Sequence, residues 1–160
     1  MKRLDFLNKL MGEGKLKLVE PSEEIKKSYI EKSESNLSSA KILLENDKFE
    51  ESIALTYYSM YNMLIALLFK AGIKCENHAG SIILLKELFD IGNSDIENAK
   101  KERIDKQYYT DFEIVKDDVL EAIQNAEDFD YNLLSFISKL NNESIEYYRK
   151  KFKELIGLNR

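Results

Sequence analysis

Apolar residues recur every three or four positions along most of the chain, the spacing that gathers them on one face of an α-helix. After a short amphipathic start, a long helix opens in "EPSEEIKKSYIEKSESNLSSAKILLENDKF", where Ile25, Tyr29, Leu37, Ala40 and Leu44 keep the rhythm and Ser33 interrupts it. Glu23 and Glu24 stand at its entry, where carboxylates offset the helix dipole. "ENDKFEE" reads as a tight joint, since Asn46 and Asp47 suit a helix stop. A second helix covers about residues 49–71, with Gly72 at the position of a left-handed cap. "NHAGSIILLKELFD" reads as a third, shorter helix capped by Asn77. "IGNSDIENAKKERIDKQYY" reads as a fourth, with Ser94 and Glu97 as a capping box. Beyond a loop near "TDFEIV", a fifth helix carries Val119, Ile123, Ala126, Phe129, Leu133 and Ile137 on one stripe. "NNESIEYYRKKFKELIG" adds a terminal helix that begins at an asparagine cap. No segment alternates as a strand would. The predicted fold class is all-α: an antiparallel up-and-down bundle of four to five helices with an added C-terminal helix. The chain is read as one helical domain over residues 1–160, with a core at about 20–137, an extension at 1–19 and the last helix at 141–157.

The second helix departs from the one-faced pattern. "TYYSMYNMLIALLF" is apolar nearly all the way round, yet it holds Thr56, Ser59 and Asn62 at steps of three. A membrane helix needs about 20 uninterrupted apolar residues. This run is shorter and is flanked by Lys48, Glu50, Glu51 and Lys70, so no membrane role is expected. A helix apolar on every side belongs at the centre of a bundle. Its polar stripe must be hydrogen-bonded inside the bundle, or must face a cleft or a partner chain.

Composition supports this picture and narrows the chemistry. Charged residues make up 33% and hydrophobic ones 44%, with one proline and six glycines, a balance that suits long helices with few joints. Cys75 is the only cysteine, which excludes an intramolecular disulfide and a CxxC metal knuckle. A lone thiol and a start without a continuous apolar run fit a cytoplasmic protein. The net charge of −5 does not suit indiscriminate binding to nucleic acid. The end of the chain is nevertheless basic, with Arg149, Lys150, Lys151, Lys153 and Arg160. It reads either as a solvated helix face or as a contact for a phosphate or partner.

Few residues carry chemistry. His78 is the only histidine, so neither a His–His catalytic pair nor a His-rich metal site can form within one chain. It falls in the first turn of the third helix, where the dipole disfavours protonation. It either fixes the loop after Gly72 or offers a neutral imidazole to a ligand. Arg103 and Tyr108 lie on the fourth helix about 140° apart, and they can share a site only if the helix ends or bends between them. No Gly-rich phosphate loop, nucleophile elbow or paired-His zinc motif is present. Asp117 and Asp118 read as dipole partners at a helix start. No metal and no cofactor are expected.

Taken in order, these segments resemble the HEPN (higher eukaryotes and prokaryotes nucleotide-binding) family in its bacterial and archaeal branch. The family's central helix, close to "A-x-x-YYAMFH-x-x-x-ALL", corresponds to "ALTYYSMYNMLIALL", with Asn62 where histidine is frequent. A "THSG"-like helix start corresponds to "KCENHAGS", "R-x-x-A-D-Y" to "RIDKQY", and "A-x-x-x-A-E-x-F" to "AIQNAEDF". The similarity covers about residues 20–137. It implies a helical bundle dimerised through its central helices, with Arg103, Tyr108, Asn62, His78 and Tyr58 as ligand-binding residues. It also implies one of two functions. The first is a module that binds a nucleotide, an RNA or a minimal nucleotidyltransferase partner in a toxin–antitoxin pair. The alternative is a metal-independent ribonuclease toxin using Arg103 and Tyr108 in a dimer cleft. In the family's ribonucleases an Arg-x4-6-His motif binds the scissile phosphate and moves a proton. Here the positions open to that histidine hold Tyr108, Tyr109 and Thr110. A tyrosine, with a pKa near 10, is a poor base at neutral pH. The binding module is therefore the favoured reading.

Overall fold

Helix α1 (Lys2–Gly12) leads into a short strand, β1 (Leu16–Leu18), and then into the long helix α2 (Glu23–Glu45). The central helix α3 (Phe49–Lys70) is followed by β2 (Ile73–Cys75), α4 (His78–Glu87), α5 (Ser94–Tyr108), α6 (Lys116–Lys139) and α7 (Asn142–Leu155). The computed structural model describes residues 2–108 and 113–157, and the side chains of residues 106–108 lie outside that description. The result is the all-α bundle that the periodicity predicts.

Local chemistry sets the helix ends. The Ser22 hydroxyl accepts from the Ile25 N–H at 3.1 Å, the Asn77 side chain from Gly80 at 2.8 Å, and the Asn141 side chain from Ser144 at 2.9 Å. The Asp118 carboxylate accepts from the Val115 N–H at 3.2 Å and so closes the first turn of α6. Each cap supplies an acceptor to a backbone donor that the helix cannot satisfy itself. At the α2–α3 joint Asp47 takes a left-handed φ of 57°, a conformation that Asp and Asn tolerate better than most residues. The expected capping box at Ser94 is corrected: α5 already includes Ser94, and Asn93 precedes it, its amide donating to the Ile82 carbonyl at 3.0 Å.

Helix α3 packs most extensively against α2 and also meets α5 and α6. Its length and composition would suffice to cross a membrane, but most of it is buried by the chain itself. Tyr57, Met60, Leu64, Leu67 and Leu68 form the middle of the main core, which also takes Leu7 and Leu10 from α1 and Phe152 from α7. All six apolar positions read on α6 are buried. No residue of α3 after Glu51 is exposed, so the bundle itself covers this helix along most of its length.

The polar stripe of α3 is resolved within the bundle. Thr56 donates to its own helix at the Ile53 carbonyl, 2.7 Å away. The Ser59 hydroxyl donates to Oδ2 of Asp130 on α6. Ser33 of α2 joins them, 2.7 Å from the Ser59 carbonyl and 3.3 Å from the same carboxylate oxygen. Asn62 donates to the Asn36 side chain of α2 at 2.7 Å. The serine that interrupts the apolar stripe of α2 is thus the partner of a buried carboxyl. Burial pushes the Asp130 carboxyl up to about 7, against the two serine donors that favour its charged form.

Two further features differ from the sequence reading. The strands pair antiparallel, with Leu16 opposite Cys75 and Leu18 opposite Ile73. Leu16, Ile73 and Cys75 are buried, but three-residue strands are too short to display an alternation along the sequence. Arg149, counted with the basic end of the chain, is turned inward. Its Nη1 donates to the carbonyls of Val19, Ala71 and Gly72 at 2.8, 3.1 and 2.9 Å. It thereby ties α7 to the C-terminal end of α3, where backbone carbonyls lack helical partners. Gly72 has the expected positive φ, 76°.

Candidate functional site

Four residues per turn-and-a-bit bring Tyr57 and Tyr61 to one face of α3, while Tyr58, Asn62, Ile65 and Phe69 follow the same rhythm on the adjoining face. The tight turn after Gly72 and the strand β2 then deliver the start of α4 beside these tyrosines. His78 is the first residue of α4. Its Nδ1 lies 2.7 Å from the Tyr57 hydroxyl, and the Tyr61 ring stacks on its face at a centroid distance of 3.8 Å. The Tyr61 hydroxyl in turn lies 3.5 Å from that of Ser81.

A cleft of about 440 Å³ opens against this cluster. Tyr29, Tyr58, Tyr61 and Phe69 give it aromatic walls, Asn62 and His78 contribute polar groups, and Lys32 and Lys74 stand on its lining. The Lys32 ammonium also lies 4.7 Å from the Tyr29 ring centroid. From α5, Arg103 places its guanidinium carbon 5.3 Å from the centroid of Tyr57 and 5.5 Å from that of Tyr58. Cations over aromatic faces are attracted by the ring quadrupole.

Electrostatics fix the protonation states. Burial, then the nearby charges of Lys100 and Arg103, hold His78 below its ordinary value, so the ring is neutral at pH 7. Burial raises Tyr57 well above the usual phenol range, and Tyr61 rises for the same reason. Both phenols keep their protons. Cys75, which lines the same cleft, is also pushed up by burial, so its thiol is not a ready nucleophile.

Of the residues singled out from sequence, Tyr58, Asn62 and His78 line one cleft, and Arg103 sits over Tyr58 beside it. The Tyr108 side chain lies outside the described residues. Helix α5 continues through Tyr108, so it does not end between Arg103 and Tyr108. Sequence reasoning passed over Tyr57 and Tyr61 as site residues, although their spacing of four places them on one helix face. It passed over Asp130 as well, for which the only signal was the small polar residues at buried positions across from it.

A family model described as "HEPN domain" matches residues 26–129. The "UPF0332 protein PH1297" of Pyrococcus horikoshii is 47% identical over 60 residues, 38% of this chain and 42% of that protein. "Putative toxin MJ0605" of Methanocaldococcus jannaschii is 36% identical over 86 residues, 54% of this chain and 63% of that protein. Each match spans less than two thirds of the relative's length.

Proposed function

The chain belongs to the HEPN domain family, and we propose that it is a binding module whose cleft takes a nucleotide or the end of an RNA strand. The observation that carries this reading is the aromatic cleft of about 440 Å³, lined by the Tyr58 ring, against which the Arg103 guanidinium also packs. Bases stack on aromatic side chains regardless of sequence, and guanidinium groups hold phosphates through charge-assisted bonds. The volume falls within the range of small-ligand pockets. The similarity to a protein named "Putative toxin" supports a place in a toxin–antitoxin pair; a minimal nucleotidyltransferase as the partner is proposed on the family resemblance alone. A homodimer is part of the proposal on the strength of the family resemblance alone.

Ribonuclease action has less support. The arginine is in place, but the motif position expected of histidine holds tyrosine. His78 directs Nδ1 into a hydrogen bond with Tyr57. The test is a titration of the purified protein with adenosine monophosphate and with a short RNA. Saturable binding weakened by about 1–3 kcal/mol in Arg103→Ala is expected. Metal-independent cleavage of the RNA, abolished by the same substitution, would replace this reading with the ribonuclease.

A further inference from the structure

The hydrogen bond between Tyr57 and His78 has a direction, and that direction decides what the imidazole can offer. Tyr57 is completely buried, and its hydroxyl hydrogen bond among the described residues is the one to Nδ1 of His78. A buried phenol that keeps its proton must donate it, since an unsatisfied buried donor costs about 1–3 kcal/mol. The acceptor at hand is Nδ1. A neutral imidazole has one donor nitrogen and one acceptor nitrogen. With Nδ1 accepting, the ring proton resides on Nε2, which makes no hydrogen bond among the described residues. Tyr61, stacked on the ring face at 3.8 Å, prevents the imidazole from turning over freely.

We propose that Tyr57 acts as a positioning residue that locks His78 as a neutral Nε2–H donor, which binds a phosphate oxygen of the ligand in the aromatic cleft. This rests on the reading of the cleft as a nucleotide or RNA-end site and specifies which ligand atom it recognises. The basic nitrogen of the only histidine is occupied, so it is not available as the general base for attack by a ribose hydroxyl. The other ring nitrogen is a donor, complementary to an anionic acceptor. Arg103 and Lys100 add positive charge near the imidazole, and the Tyr58 ring lines the same cleft, where a base can stack. The shared ligand chemistry is a monophosphate ester attached to a nucleobase, whether free or at the 5′ end of an RNA strand.

The single histidine makes the test direct, because ¹⁵N-histidine labelling of the full chain gives one imidazole spin system. At pH 7 the Nδ1 resonance is expected in the unprotonated range and Nε2 in the protonated range. Adenosine monophosphate should shift Nε2 and leave Nδ1 nearly unchanged. Tyr57→Phe, which removes the donor and keeps the ring, should bring Nδ1 toward an averaged tautomer. His78→Gln, which can supply an amide donor but no base, should bind within about threefold of the native protein. His78→Ala should lose about tenfold or more, the scale of a hydrogen bond to a charged group. An Nδ1–H tautomer or an imidazolium at pH 7 overturns the inference while leaving any measured nucleotide affinity intact. Absence of nucleotide binding by the native protein overturns the cleft reading itself, whatever the tautomer. A 5′-phosphorylated and a 5′-hydroxyl oligoribonucleotide separate the two ligand sources: preference for the phosphorylated strand over the mononucleotide assigns the RNA end, and the reverse assigns the free nucleotide. No preference for phosphate over hydroxyl in either arm overturns the role given to Nε2.

Discussion

The Tyr57 hydroxyl and the His78 Nδ1 lie 2.7 Å apart, although the two residues belong to different helices and stand 21 positions apart in the chain. Three features enforce that meeting. Helix α3 is buried at Tyr57, Gly72 turns the chain sharply at its end, and Asn77 caps the helix that starts with His78. The pair is therefore built by the turn between α3 and α4 as much as by either residue.

His78 should titrate below the ordinary histidine value of 6.5. Burial is the main cause and the Lys100 and Arg103 charges add to it, so Arg103→Ala should move the midpoint back upward. The sign for stability follows. As pH falls, the unfolded chain takes up this proton before the folded one, so the folded state loses stability as pH drops from about 6.5 toward the folded midpoint. An NMR titration of the sole histidine checks both statements. A midpoint at or above 6.5, or no response to Arg103→Ala, would contradict the electrostatic picture.

Asp130 should behave in the opposite sense. Its folded value of about 7 lies above the ordinary 3.8, so the native protein binds a proton that the unfolded chain releases across that window. Stability conferred by Asp130 is therefore present at low pH and declines as pH rises from about 4 to 7. Asp130→Asn keeps the shape without the charge. Relative to the native chain it should gain on the order of a few kcal/mol between pH 4 and pH 8, measured by urea unfolding. Two parallel stability curves would show that the carboxyl is ionised throughout.

The helices were legible because burial imposes period on them. Val119, Ile123, Ala126, Phe129, Leu133 and Ile137 announce the buried face of α6, and Asn77 and Gly72 announce the α3–α4 turn. The site was legible only in part. Arg103 and His78 stand out as residue types, but their meeting with Tyr57 depends on how α4 and α5 lie across α3, which no local spacing encodes. Arg149 shows the same limit: along the sequence it belongs to a basic run, while in the fold it satisfies three carbonyls from two distant segments. The strands escaped notice because pairing over three residues leaves no periodic trace.

Tyr58 separates binding from stability. Its ring lines the cleft and lies under Arg103, yet it is only half-buried and sits at the border of the core. Tyr58→Ala should weaken binding of a short single-stranded RNA by about 1–3 kcal/mol, the worth of one base stacked on one ring. The unfolding midpoint should move far less than for a fully buried aromatic. Fluorescence anisotropy and urea titration on the same preparation decide it, and unchanged RNA affinity would remove this ring from the site.

Gly72 and Arg149 should fail together. A Cβ at residue 72 would lie 2.1 Å from Nη1 of Arg149 and 2.5 Å from the Val19 carbonyl oxygen, on a backbone already at a φ of 76°. Gly72→Ala must therefore bear a left-handed conformation costing about 1–2 kcal/mol and also displace the guanidinium. Arg149→Met keeps an apolar stem but removes the donor shared by three carbonyls, at a cost of about 2–3 kcal/mol. Because the alanine already expels the group that methionine deletes, the double variant should be less destabilised than the sum of the singles. Urea unfolding of the four proteins gives the coupling directly. Strict additivity would mean that the Arg149 side chain is not the group that Gly72 makes room for.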